Sequence, residues 1–411
     1  MAALAFDARA PIDLGSREFS ENKYEWYRWL LANAPACRGR ISVLRVNLVA
    51  RYEDCRTVLT DPRFLRNRGR ALGKQAGNPL PFPLPKSIAA LGRSMIIEDD
   101  PEHRRLRNLV SQAFTPRAVA RLSHRVEELS HELLDELEKR DGSFDLLELY
   151  ARPIPTRVIA ALVGVPDADM ERFKAGIRVL SSGFSGWAIA RTLLWDLPAL
   201  RRYVLELIER KRAEPADDIL SELIHAEEAG DRLSHDELLS LVFLLIIAGF
   251  ETTLHLITNG ARTLLEHPDQ LARLRAQPEL WDSAVEEIVR HRGPVQGTKP
   301  IYPVEDVSFH GVTFARGTAT MPLLGAANHD PAAFDDPERF DVAREPNRHL
   351  GFGFGAHFCL GAQLARMETR VALRNLVERN PSLRLAVAPS ELVIQRAPGW
   401  HRHESLPVAL R

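Results

Sequence analysis

Cysteine is scarce. The 411 residues hold three, Cys37, Cys55 and Cys359, and no two stand in a C-x-x-C arrangement. That argues against a disulfide scaffold and a cysteine zinc site, and it suits a reducing compartment. An excess of one charge is also missing. With 54 basic and 55 acidic residues the net charge is −1, so there is no footprint for a polyanion and no nucleic-acid partner is expected. The apolar run Leu241 to Phe250 stops after ten residues, at Glu251, short of the ~20 that a bilayer crossing needs. The start, MAALAFDARAPIDLGSREFS, has no basic segment leading into an apolar one, so neither a secretion signal nor an anchor is expected there. No repeat, low-complexity tract or Gly/Ser linker divides the chain. The expectation is a single domain over residues 1–411, monomeric, cytoplasmic and without a membrane span.

What is present is mainly helical. From Pro101 to about Gly230, apolar residues recur at spacings of three and four, the signature of helices with a buried face. Ser234 and Glu237 form an S-x-x-E capping pattern, and the helical pattern then runs to about Glu266, before Pro268. That is roughly 32 residues, or about 48 Å. A helix apolar on every side belongs in the middle of a fold. A helix is expected to begin over Glu53 to Leu59, with others over 268–275, 278–292 and 361–378. The β signals are short. Residues 41–51 (ISVLRVNLVAR) suggest a strand pair, and strand and turn signals occupy 304–320 and 383–411. Pro79, Pro81, Pro83 and Pro85 make 78–86 an apolar loop. The fold class is mainly α with a small β region.

The sharpest motif is HLGFGFGAHFCLGAQLAR, His349 to Arg366, in which Phe352, Gly355, Cys359 and Gly361 spell F-x-x-G-x-x-x-C-x-G. Gly353, Gly355 and Gly361 would let the backbone bend and approach a flat cofactor. A helix starting near Gly361 puts its positive end beside Cys359, which favours an anionic sulfur. Backbone N–H groups there could hydrogen-bond that sulfur. The competing reading is a buried cysteine in a glycine-rich turn.

This segment resembles the haem-binding loop of the cytochrome P450 superfamily, whose cysteine is the axial iron ligand. The length and the lack of an anchor resemble the soluble bacterial members. The resemblance implies the cytochrome P450 fold, with haem b between the long central helix and the Cys359 loop and helix. It implies Cys359 as the iron ligand, with Phe352 and Gly361 beside the cofactor.

Further motifs agree. Ala248-Gly249-Phe250-Glu251-Thr252-Thr253 interrupts the apolar central helix with residues that disfavour a helix. A Thr252 hydroxyl can bond the Ala248 carbonyl four residues back. The resemblance implies that Glu251 and Thr252 are the acid–alcohol pair relaying protons. The competing reading is a glutamate paired with an arginine, plus threonines that fill gaps. His103 and Arg107, at i and i+4, share a helical face. By resemblance these two and His357 contact the haem propionates, for which charge-assisted bonds suit them. A solvated basic face is the alternative. Glu287 and Arg290, with Arg339 from FDDPERFD, are implied as a structural network holding the cysteine loop.

There are departures. Where the family has a further propionate-binding cation, this chain has Ile301; Lys299 or Tyr302 could reach across, but Pro300 and Pro303 stiffen the strand. The expectation is that His103, Arg107 and His357 serve alone. The family's N-R-D is N-H-D here, at Asn328, His329 and Asp330.

The implied activity is that of a haem-thiolate monooxygenase. It would insert one oxygen atom from O₂ into a C–H bond of a small lipophilic substrate such as a terpenoid, steroid or fatty acid. Electrons would come from a separate ferredoxin and its NAD(P)H-dependent reductase, docking at Arg104, Arg105 and Arg366. Candidate pocket walls are Leu80, Phe82 and Leu84 in the proline-rich loop, Leu244, Leu245 and Ala248 in the central helix, and Val295, Gln296 and Trp400; residues 178–200, with Trp187 and Trp195, would form a lid. The alternatives are a peroxide-using or isomerising haem-thiolate enzyme without a redox partner, and a non-catalytic haem sensor or carrier.

Overall fold

Ser234 opens the longest helix. Its hydroxyl accepts the Glu237 N–H at 3.3 Å, and its own N–H donates to the Glu237 carboxylate at 2.8 Å. This reciprocal cap satisfies donors that a helix start otherwise leaves open. The helix then runs 32 residues, His235–Glu266. It is long and apolar enough to cross a membrane, yet 67% of its most apolar window is buried inside the protein. The computed structural model describes residues 10–74, 94–113, 116–181, 195–228 and 233–411. The proline-rich loop with Phe82, and Trp187 of the expected lid, lie outside the described residues.

Around this central helix pack the helices Pro153–Leu162, Trp281–Arg292 and Ala362–Arg379. Their apolar faces merge into one large core that includes Val158, Ile159, Phe250, Leu254, Ile257, Ile288 and Leu373. Gly249 packs closely there: a Cβ would fall 2.3 Å from Ile159 Cδ1, and the Ile159 side chain would have to shift. Its place in the helix therefore has a steric reason that composition did not show.

The β structure lies to one side. Ala36–Ile41 and Leu44–Val49 form an antiparallel hairpin with Cys37 opposite Leu48, and Val46 to Val49 pair in parallel with Ala319–Pro322. The hairpin turns at Ser42, φ 54°, so its first strand precedes the β-branched stretch on which the expectation rested. ACRGRI carries little β-propensity and is a strand because its partner makes it one. Phe64–Leu65 pairs antiparallel with Tyr302–Pro303, Phe64 opposite Pro303 and Leu65 opposite Tyr302. The helix Tyr52–Thr60 abuts the 3₁₀ turn Gly355–His357. The turn and the helix Ala362–Arg379 thus bracket Cys359 on the side of the central helix's neighbours.

Candidate active site

The loop before Cys359 is tied to itself. The Gly353 N–H donates to the Leu350 carbonyl at 2.8 Å, and the Cys359 N–H to the Phe352 carbonyl at 2.9 Å. Gly355 has φ 72° and packs so tightly that a Cβ would meet the Leu59 carbonyl oxygen and Thr60 Cγ2 at 3.0 Å. Gly361 differs: its φ is −84°, which any residue adopts, and a Cβ there would meet no protein atom within 4 Å. The protein itself does not require glycine at 361, and its absent side chain leaves room for a flat group.

The donor set fits haem. Burial pushes the Cys359 thiol up, while a Gly361 N–H on the sulfur and the charges of Arg107 and Arg366 favour the thiolate. A coordinated metal would complete the deprotonation. Arg366 is held by two bonds to Glu286, at 2.5 and 2.8 Å, and lies 4.5 Å over the Phe352 ring. His349 bonds the same carboxylate at 3.0 Å. Burial acts to raise the Glu286 carboxyl, but these hydrogen bonds and charges outweigh it and take it down to about 2.

His103, Arg107 and His357 come together as the sequence suggested. The two imidazoles lie 4.0 Å apart, centroid to centroid. Burial, with the charges of Arg66, His103 and Arg107, lowers His357 to about 3. Burial lowers His103 as well, against the opposing Asp100. Arg107 is half-buried, and the charge acting on it is that of the Cys359 sulfur. Among the described residues no carboxylate bonds Arg107 or the Arg66 guanidinium. A cluster rich in donors and short of acceptors suits a cofactor with two carboxylates. Arg66 was not singled out in the sequence, because only strand register brings it here.

On the central helix, Leu244, Ile247, Ala248, Glu251 and Thr252 are accessible in a segment whose other faces are buried. Their spacing of i, i+3, i+4, i+7 and i+8 makes one stripe. The Thr252 hydroxyl donates to the Ala248 carbonyl at 2.6 Å. Glu251 meets Arg402 at 2.5 Å, so the arginine partner exists. Burial still raises the Glu251 carboxyl, against the charges of Arg402 and Arg152. Leu245 is off the stripe, in the core.

Three other wall candidates have structural engagements. Gln296 is buried, and its side-chain amide donates to the Gly293 carbonyl at 2.5 Å. Val295 is half-buried and bridges to Trp400. The Trp400 ring carries the Arg402 guanidinium at 3.8 Å. Of the expected docking charges only Arg104 is mostly exposed, and it pairs with Asp100. Arg105 bonds Glu237 and Arg366 bonds Glu286.

The structural network needs a correction. Glu287 and Arg290 are fully buried and doubly bonded, at 2.7 and 2.8 Å. The third member is Arg344, not Arg339. Arg344 Nε lies 3.1 Å from Glu287 and is 11% exposed, whereas Arg339 points outward, 58% exposed. Near the turn at Asp336, φ 45°, Arg339 offers Arg290 its carbonyl, at 3.0 Å, while its guanidinium pairs with Asp341 at 3.4 Å and does not reach Glu287.

Comparison with known proteins agrees with this geometry. The cytochrome P450 family profile matches residues 55–381. The chain is 40% identical over 408 residues to the cytochrome P450 monooxygenase PikC of Streptomyces venezuelae, covering 97% of this chain and 94% of that one. It is 39% identical to the vitamin D(3) 25-hydroxylase of Pseudonocardia autotrophica, covering 97% and 96%. The solved structure of the Bacillus subtilis bacillaene polyketide synthase cytochrome P450 PksS matches with a TM-score of 0.89 at 36% identity, covering 97% and 99%. The chain belongs to the cytochrome P450 family, as an oxygen-incorporating oxidoreductase of the bacterial monooxygenase type with haem b as its cofactor.

Proposed function

We propose that this monooxygenase inserts one oxygen atom from O₂ into a C–H bond of a small lipophilic molecule, in the cytoplasm, with electrons from a separate ferredoxin and its NAD(P)H-dependent reductase. The observation that carries this reading is the accessible stripe Leu244, Ile247, Ala248, Glu251 and Thr252 on an otherwise buried helix. It sets an apolar wall directly beside an acid and an alcohol. The apolar part suits a substrate held by burial; the polar part suits proton delivery.

Bound haem supplies O₂ activation, using two electrons and two protons per oxygen atom inserted and releasing the other oxygen as water. Cys359 would hold the iron, with its sulfur tuned by the Gly361 N–H. His103, Arg107 and His357 would hold the propionates. Thr252 would orient protons at its Oγ1, and Glu251 would pass them inward. The vitamin D(3) 25-hydroxylase relative supports a steroid-like or similarly lipophilic substrate.

Optical titration of the ferric protein with terpenoids, steroids and fatty acids tests the substrate class. Binders should shift the spin state from low to high and then yield hydroxylated product with NADH, ferredoxin and reductase. No shift with any lipophilic compound overturns the class. Turnover with peroxide but not with ferredoxin overturns the redox assignment. Carbon monoxide on the reduced protein should give the long-wavelength band of thiolate ligation, and Cys359→His should lose it.

A further inference from the structure

We propose that Arg66 binds a haem propionate and supplies the cation that Ile301 cannot; this rests on the haem site at Cys359 described above. Ile301 is 2% exposed, in an apolar cluster with Phe64, Val307 and Phe314. It has no donor to offer. The ladder beside it pairs Leu65 with Tyr302 and Phe64 with Pro303. The Val304 N–H donates to the Arg63 carbonyl at 2.8 Å, which continues the same register. Counting one residue in the other direction sets Arg66 across from Ile301. A cation missing from one strand thus stands at the facing position of its partner.

Among the described residues, the surroundings of Arg66 occupy little of its guanidinium. Asp99 uses its two carboxylate oxygens on the backbone N–H groups of Arg66 and Asn67, at 2.7 and 2.9 Å. This pins the backbone and leaves the side chain. Of five guanidinium N–H donors, one makes a hydrogen bond among the described residues, from Nη1 to the Lys299 carbonyl at 3.1 Å. The side chain is half-buried, and the Asp99 that pins its backbone also accepts the His103 backbone N–H on its carbonyl at 3.1 Å, with the His357 ring 4.0 Å from that of His103. Arg66 therefore stands at the edge of the donor cluster formed by His103, Arg107 and His357. A carboxylate there would match the planar fork with two parallel bonds. Burial and the nearby charge of Arg66 lower the Lys299 ammonium; the contact Lys299 makes to Arg66 is through its carbonyl.

Transfer of haem from the ferric holoenzyme to excess apomyoglobin tests this. Arg66→Met should release haem roughly ten- to a hundredfold faster, the effect of losing one charge-assisted bond. Arg66→Lys should lie between, and Ile301→Arg added to Arg66→Met should slow release again. Lys299→Ala should stay within about twofold of wild type, as expected for a side chain outside such a bond. The propionate bending band in the resonance Raman spectrum should move in Arg66→Met and not in Lys299→Ala, which a merely structural role would not produce. If Arg66→Met fails to accumulate with haem, Arg66→Lys and the double variant carry the same comparison. Wild-type release rates and an unmoved band in the Arg66 variants overturn the assignment. A wild-type protein without the thiolate carbon monoxide band would instead overturn the haem site itself.

Discussion

Arg402 Nη1 lies 2.5 Å from Glu251 Oε1, and both side chains are 13% exposed. The two residues are 151 positions apart in sequence. The pair resolves a question that the helix alone left open. The glutamate does have an arginine partner, and it also sits on the accessible stripe one residue before Thr252. Pairing and proton transfer are compatible here, because burial raises the carboxyl while Arg402 and Arg152 oppose that rise.

Removing Arg402 should therefore raise the Glu251 carboxyl further. Glu251 gives up protons from its protonated form, so Arg402→Gln is expected to move the alkaline limb of the pH profile for product per NADH toward higher pH. Glu251→Gln should lower product formation by roughly 10²–10⁴, the usual reach of a general acid–base group. A pH profile that Arg402→Gln leaves in place would show that Glu251 does not govern proton supply.

Thr252→Ala should uncouple the enzyme and leave it folded. The variant loses one hydroxyl bond to the Ala248 carbonyl, worth about 0.5–1.5 kcal/mol. Alanine recovers part of this through better helix propensity. Thermal unfolding should shift little. NADH consumption should continue while peroxide rises and product falls. Peroxide and product yields equal to wild type would place the proton path elsewhere.

How much of this was legible depended on distance along the chain. The central helix was readable at both ends, because Ser234, Glu237 and Pro268 mark its limits locally. The Cys359 loop was readable because its glycines and cysteine are adjacent. The Arg402 contact to Glu251 was not, since no spacing rule links residues so far apart. Arg66 was hidden for the same reason: its place opposite Ile301 exists only in the register of two short strands. The close packing at Gly249 comes from Ile159 on another helix. The motif spacing points to Arg339, while the fold brings the Arg344 guanidinium to Glu287.

That correction is itself testable. Arg344→Ala removes a guanidinium that also bonds the carbonyls of Asp335, Asp336 and Arg339, at 2.7 to 3.1 Å. It should cost about 1–3 kcal/mol, because the buried Glu287 carboxylate loses one of its partners. Arg290→Ala should cost more, about 3–5 kcal/mol, because it takes from the fully buried Glu287 carboxylate the only equally buried cation among the described residues, which bonds both of its oxygens. Arg339→Ala should stay within about 0.5 kcal/mol, as for an ordinary surface change. Chemical denaturation of the three variants gives the order. An Arg339→Ala as damaging as Arg344→Ala would restore Arg339 to the network.

Glu286 gives a pH prediction for the cysteine loop. Its carboxyl is held at about 2 against an ordinary value of 4.5, by Arg366 and His349 working against burial. In the unfolded chain those partners are gone, so between these two values the unfolded state binds more protons than the folded one. Stability then rises with pH across that window, and the contribution is fully present above about 4.5. Acidification through the window should loosen the Arg366 and Phe352 side of the loop first. Wild-type stability should fall as the pH drops from 4.5 toward 2, and Glu286→Gln should flatten part of that fall while lowering stability at neutral pH. Denaturant unfolding at a series of acid pH values measures both slopes. Equal slopes for the two proteins would mean that Glu286 keeps no depressed carboxyl, and that Arg366 is anchored to the loop by its contact with Phe352 alone.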